Sequence, residues 1–240
     1  MTRSIFALPD FRNLWTVGLL IFVVRWLEML AVGLYVYQVT KSAFVVTLMM
    51  LLRMLPMALF GALMGAVAER VDRREVLLIT IVASIATSGA LAVLTWAEAL
   101  AVWHVALACF INGICWATDN SVRRMMIGDV VGADRMGHAM SLDVGANNAS
   151  RVLGPAIAGA LLASFGVAGV FWLSVLLYIA SFVVGLRVTP RARPSKVHGG
   201  SLAASIREGF LWVRHDRRLA GVLVITMIFN IFGWPVTSMI

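Results

Sequence analysis

Charge is what this sequence has least of: Asp, Glu, Lys and Arg make up 13% of its 240 residues, about half the share of an ordinary soluble domain. With 61% hydrophobic residues and a mean hydropathy of +0.91, it lacks the polar surface needed to coat a globule of its own size. A cytosolic enzyme and a disordered chain are thereby excluded. Cysteine is also scarce. Cys109 and Cys115 fall six residues apart in one apolar run, where a helix keeps them beyond disulfide reach, so neither a disulfide framework nor a metal centre is indicated. There is no glycine-rich phosphate loop with its lysine and hydroxyl, no His-Glu-x-x-His and no nucleophile–base pair. No ATP, metal or other cofactor is expected. A membrane-embedded enzyme would need acids or histidines clustered at one membrane face, and none are found.

What the sequence does have is apolar runs of about 20 residues, the length of a membrane-crossing helix. Charges, glycines and prolines delimit seven, at about 13–37, 44–68, 76–97, 100–122, 140–164, 167–187 and 218–239. The first run is too long for a signal-peptide core and lacks a small-residue cleavage site, so it reads as a retained span. Seven spans leave only short loops and no room for a soluble catalytic domain.

The net charge of +8 comes from 20 basic against 12 acidic residues, and its distribution orients the chain. Arg25, Arg53 and Arg151 lie inside spans, leaving 17 basic residues in flanks and loops. Of these, Lys41 alone follows an odd-numbered span; the other 16, including Arg123 and Arg124, fall at the N-terminus or after even-numbered spans. The positive-inside rule puts the N-terminus and the even connections in the cytoplasm, which makes the charge a membrane anchor rather than a nucleic-acid footprint.

The spans group as a six-helix unit over residues 1–187, a linker over 188–217 and a seventh helix over 218–240. In the linker, Pro190, Pro194, Gly199 and Gly200 interrupt a basic stretch. Leu202, Ile206, Phe210 and Val213 then recur at helical spacing, predicting an amphipathic helix on the membrane surface.

Between spans two and three, six charges, three of each sign, crowd into Glu69–Glu75. Such a cluster can latch one conformation and release another; a solvated loop of positive-inside arginines is the plainer alternative. The run Gly65-Ala-Val-Ala-Glu69-Arg70-Val-Asp72-Arg73-Arg74 resembles the signature loop of the major facilitator superfamily, with Glu69 in place of the usual aspartate and Asp72 in place of the usual glycine. Aspartate tolerates the left-handed backbone that a glycine would favour there better than most residues do. The resemblance implies that Glu69, Arg73 and Asp119, an acid at the cytoplasmic end of helix four, form a conformational latch.

Span five supports the match. Ser150, Gly154 and Ala158 recur every four residues and allow close helix approach, while Pro155 frees a backbone carbonyl; plain packing is the structural alternative. With Gly159, the stretch resembles the glycine–proline motif of helix five in the superfamily's drug and proton antiporters. The wider run Asp143–Gly159 looks most like the branch of siderophore exporters and macrolide efflux pumps. The helix-four motif arginine-x-x-glutamine-glycine is absent: Cys109-Phe-Ile-Asn112-Gly113 stands there without the arginine.

Ionisable groups in the hydrocarbon layer are costly, by about 3 kcal/mol or more, and turn toward protein or water. Arg25, Glu28 and Tyr35 lie near one face of span one; Arg53 and Arg151 are the other deep cations, and Asn112, Asn147 and Asn148 are uncharged polar candidates. This set predicts a polar cavity with Glu28 as its only deep acid and proton carrier. The alternatives are an Arg25–Glu28 pair that neutralises itself and an Arg151 that snorkels to the surface. Trp15, Trp96, Trp103 and Trp172 fit an aromatic belt, His104 an interfacial position, and the 13 methionines lipid-facing or packing use.

The expected protein is thus an all-α integral membrane protein: a six-helix N-terminal bundle of major facilitator type, built as two inverted three-helix repeats, plus a seventh helix, as in a truncated twelve-helix transporter. By resemblance it is a multi-pass inner-membrane exporter of a small amphipathic compound by proton antiport. Its partners would be the bilayer, the substrate, protons, and a missing C-terminal bundle or a second protomer, without nucleic acid. The alternative is a non-transporting truncated protein or assembly partner, which a natural stop at Ile240 would favour.

Overall fold

The computed structural model describes residues 5–68, 72–189 and 221, with the backbone alone at 58 and 60–68. The chain divides into two compact units, Met1–Lys196 and Val197–Ile240, and every helix between Pro9 and Gly185 belongs to the first. The surface helix of the linker, and the seventh span apart from residue 221, lie outside the described residues.

Among the described residues all regular structure is helical. Helix α1 (Pro9–Thr40) begins with a proline, whose missing N–H is unneeded in a first turn, and ends where Lys41 turns left-handed at φ 54°. Helices α2 (Ala43–Ala68), α3 (Arg73–Trp96) and α4 (Val102–Val131) follow. Helix α5 (Met136–Gly185) is two helices across a break at Gly166, whose φ of 64° and ψ of −166° suit glycine almost alone. Its two arms correspond to predicted spans five and six. By length and apolarity alone, α1, α3 and the stretch Ala133–Gly185 qualify as membrane-crossing, with a shorter apolar helix at Ala43–Met57. Helix α4 runs nine residues past its predicted end at 122, because the charges that look like a loop flank are partly held inside the bundle.

Helix α1 packs chiefly on α5, and α2 on α4. Both crossings use glycine. A Cβ on Gly154 would stand 2.6 Å from Trp26 Cβ and 3.0 Å from the backbone of Val23 and Leu27; one on Gly113 would stand 2.3 Å from the Arg53 carbonyl oxygen. The first helix of each three-helix set thus crosses the second helix of the other, the reciprocal pairing that two swapped repeats produce.

The interior is layered. One apolar cluster gathers Phe11, Leu14, Leu77, Ile81, Val122 and Ile127; a second gathers Val32, Val36, Leu91, Val105 and Phe171. Between them in chain position on α1, α3, α4 and α5 fall the buried polar residues Arg25, Glu28, Ser84, Ser88, Asn112, Asp119 and Ser174, and α2 adds the buried Arg53 one turn past Met49 of the second cluster. Lipid tails are as apolar as leucine, so close approach at glycine and polar pairing in this middle layer, more than hydrophobic burial, hold such a bundle together.

Candidate functional site

The polar layer joins all five helices α1 to α5. Glu28, 1% exposed, accepts a 2.5 Å hydrogen bond from Ser88 Oγ on α3 and lies 4.0 Å from the Arg53 guanidinium on α2. Arg25, one turn away on α1, makes no pair with Glu28. Its guanidinium lies over the rings of Trp116, at 4.4 Å, and Phe22, at 5.2 Å, two cation–π contacts within the usual limit of about 6 Å. The self-neutralising Arg25–Glu28 pair is therefore not formed: the two side chains leave α1 toward different neighbours. Arg25, Arg53, Asn112, Asp119 and Tyr178 line one small pocket of about 20 Å³, room for about one water. Asn112 Oδ1 and both Asp119 carboxylate oxygens have no hydrogen-bond partner among the described residues, so the pocket offers a water several polar contacts.

The second cluster centres on Arg123, which sequence reasoning placed in a loop. It is fully buried, hydrogen-bonds Asp143 on α5 through Nη1, holds Nε 3.5 Å from Asp119 one turn back, and lies 4.8 Å over the Phe22 ring. A Cβ on Gly18 of α1 would come within 2.4 Å of its Nη1, so that glycine makes the room the guanidinium occupies. Arg124, 43% exposed, approaches Asp143 from outside at 3.6 Å. Glu28 is accordingly not the only deep acid: Asp119 and Asp143 are buried as well, at 3% and 1% exposure. The signal available in sequence was the Asp119–Arg123 spacing of four on one helix, a favourable ion-pair geometry.

The signature loop differs from its expected pairing. Arg73 pairs with Asp129 near the end of α4, ten residues and about 15 Å of helix beyond Asp119, while Asp119 faces Arg123. Asp72 has φ −62° and no left-handed backbone; it caps α3, accepting from the backbone N–H of Arg74 at 2.8 Å and of Glu75 at 3.4 Å. Arg74 donates to the Leu186 carbonyl at 2.7 Å, and Asp10, at the start of α1, accepts from Thr189 Oγ1 at 2.6 Å, so α1 and α3 together grip the end of α5. Gly65 lies in α2, and Glu69 and Arg70 lie outside the described residues. Because the Arg73–Asp129 pair is part-exposed, Arg73→Ala and Asp129→Ala should each change stability by less than about 1 kcal/mol. A double-mutant cycle on detergent-solubilised protein measures their coupling.

Other predicted positions separate. Tyr35 donates to the Leu100 carbonyl at 2.6 Å, beside the second apolar cluster rather than in the pocket. Asn148 is exposed, while Asn147 accepts a 3.5 Å bond from the Trp26 indole. Ser150, Gly154 and Ala158 are buried against α1, with Ser150 Oγ bonded to the Ala146 carbonyl; Gly159 faces open space and Pro155 lines an outer groove. Arg151 is exposed, its guanidinium 5.1 Å over the Trp26 ring. Trp15 turns inward and donates to the Leu142 carbonyl at 3.1 Å, whereas Trp96, Trp103 and Trp172 are exposed. His104 Nδ1 accepts from the Ala101 N–H at the start of α4.

Residues 3–240 match the model of a family described as "Transmembrane secretion effector". The chain is 25% identical over 168 residues to a staphyloferrin A transporter of Staphylococcus aureus, covering 70% of this chain and 42% of that protein. It is 23% identical over 216 residues to macrolide efflux protein A of Streptococcus pyogenes, covering 88% of this chain and 52% of that one. An uncharacterized MFS-type transporter of Bacillus subtilis is 23% identical over 160 residues, 66% of this chain and 37% of its own length. The chain spans about half the length, or less, of the curated relatives it matches.

Proposed function

Because the chain belongs to the transmembrane secretion effector family of the major facilitator superfamily, we propose that it forms one half of a secondary exporter of small amphipathic compounds, driven by proton antiport and working by alternating access. The observation that carries this reading is the charged middle layer. Arg25, Arg53 and Arg123 balance Glu28, Asp119 and Asp143 within helices that otherwise bury apolar side chains. Ionisable groups kept at such cost inside a membrane bundle mark substrate and ion pathways. Efflux and staphyloferrin A transport among the relatives' names favour export of an amphipathic molecule.

Alternating access needs a second bundle rocking against this one around a site near mid-membrane, supplied by further sequence or by a second protomer. The Arg73–Asp129 pair, with the Glu69–Arg74 loop, stabilises one of the two states. The arginine distribution supports an N-terminus on the cytoplasmic side of the plasma membrane. Glu28 carries the proton in this scheme: it is buried in the layer where α1, α2 and α3 meet, and its bond from Ser88 and its pairing with Arg53 both depend on its charge. In proteoliposomes, Glu28→Gln should abolish export driven by a pH gradient while sparing exchange of substrate at equal pH. Unchanged gradient-driven export in the variant removes the proton role from Glu28.

A further inference from the structure

The small polar pocket has a chemistry that decides its occupant. At about 20 Å³ it exceeds the roughly 10–15 Å³ that a single water requires and leaves no room for a larger molecule. Asn112 Oδ1 and both Asp119 oxygens are buried acceptors without a hydrogen bond among the described residues; Arg123 Nε stands 3.5 Å from Asp119, an ion pair beyond hydrogen-bond length. Three such acceptors call for a ligand that donates, which rules out an anion. Arg25 and Arg53 line the pocket against the single carboxylate of Asp119, which rules out a resident metal cation. A neutral donor with one heavy atom is left, and that is water.

The pocket also has a definite place in the bundle. Its liners Ile21 and Arg25 precede Glu28 on α1, and Thr80 and Ser84 precede Ser88 on α3, each by about one or two turns, so it lies beside Glu28 toward the N-terminal ends of those helices. Glu28 is faced by Arg53 from α2, Ser88 from α3, Cys109 from α4, and Ser174 and Tyr178 from α5, with Arg25 one turn away on α1. Only Arg53, Tyr178 and Arg25 of these also line the pocket, and a guanidinium does not give up its proton. The Tyr178 hydroxyl is therefore the group that both borders the pocket and can take and pass on a proton. We propose that this pocket binds one ordered water, and that the water and the Tyr178 hydroxyl form the proton path to Glu28 from the N-terminal side of α1. The proposal rests on the proton role of Glu28 given above and deepens it. A proton arriving on the water oxygen makes it a hydronium, steadied by Asp119. The hydronium gives one proton to the Tyr178 hydroxyl as that hydroxyl passes its own to the Glu28 carboxylate. Water and phenol end as they began, and Glu28 is neutral.

The two cysteines make matched reporters, since both are buried but Cys115 lines the pocket and Cys109 does not. X-ray radiolysis of the full chain in lipid nanodiscs turns bound water into hydroxyl radicals that oxidise the side chains beside it. Mass spectrometry should find Cys115 oxidised and Cys109 spared. Asn112→Leu, which removes an acceptor and fills the pocket, should abolish the Cys115 label; Asn112→Ala, which enlarges the pocket, should keep it. Infrared spectroscopy after a rapid drop in pH then follows protonation of Glu28, through the carboxyl band that Glu28→Gln removes. Tyr178→Phe keeps the ring and the water, so it should leave the Cys115 label intact yet slow the rise of that band by about tenfold or more, to the same final amplitude. Cys115 oxidised no more than Cys109, a Cys115 label unchanged in Asn112→Leu, or an unslowed band in Tyr178→Phe each overturns the proposal. A Cys115 label that responds as expected in a protein whose Glu28 never protonates would instead uphold the water site and overturn Glu28 as the proton carrier.

Discussion

Replacing Arg123 by alanine should destabilise the bundle by about 3–5 kcal/mol, the usual cost of removing one partner from a buried ion pair. The side chain is fully buried between Asp119 and Asp143, at 3% and 1% exposure. Its loss leaves two like charges facing each other across a vacated space with Phe22 and Gly18 as its other walls. Arg124 cannot take over, being 43% exposed and 3.6 Å from Asp143 on the outer side. Arg123→Lys should fall between, since an ammonium cannot span both carboxylates as a planar guanidinium does. The triple change Arg123→Met, Asp119→Asn, Asp143→Asn should recover much of the loss, because replacing a whole buried ion cluster by neutral groups of similar volume is often tolerated where breaking it is not. Unfolding of the purified protein in mixed micelles, followed by circular dichroism, measures all three. A single alanine variant as stable as wild type would show that the cluster does not hold α4 to α5.

The second large effect belongs to Gly113. Its added Cβ would lie 2.3 Å from the Arg53 carbonyl oxygen and 2.9 Å from Pro56 Cγ, contacts with backbone and a rigid ring that no rotamer change relieves. Gly113→Ala therefore forces α2 and α4 apart and should cost about 3 kcal/mol, the upper part of the overpacking range, with Gly113→Leu preventing assembly. The displaced segment carries Arg53, so Glu28 loses its counter-ion geometry at the same time. Gly145→Ala provides the contrast. Nothing lies within 4 Å of its added Cβ, and alanine is the better helix former by up to about 1 kcal/mol, so that change should be neutral or stabilising. The same unfolding measurement separates the two; equal effects at Gly113 and Gly145 would refute close packing at the α2–α4 crossing.

Much of the helix order is legible residue by residue. The five connections or breaks among the described helices fall where charges, glycines or prolines interrupt apolar runs, and the break at Gly166 lies between predicted spans five and six. The end of α4 is not legible in that way. Arg123 and Arg124 look alike beside an apolar run, yet one is fully buried and the other 43% exposed, because the helix turns them about 100° apart and only one meets Asp143 from inside. Pairing was hidden for the same reason. Arg25, Glu28 and Arg53 were identifiable as deep charges from their apolar surroundings, but spacing along α1 offered only Arg25 as an alternative partner for Glu28, whereas the structure joins Glu28 to Arg53 and Ser88 and lays Arg25 on Trp116.

By itself, the sequence determined that this protein is a helical membrane protein, roughly where its described helices run, and that Arg25, Glu28 and Arg53 carry charge into the apolar layer, because each follows from composition and from the length of local apolar runs. Tertiary structure alone decided the partners: Arg73 with Asp129, Arg123 between Asp119 and Asp143, Glu28 with Arg53, and Arg151 over Trp26 beside an open groove. Partner choice depends on the rotation of each helix about its axis and on how closely two helices approach. Both are set by distant glycines such as Gly18, Gly113 and Gly154, whose effect appears only when the helices are brought together.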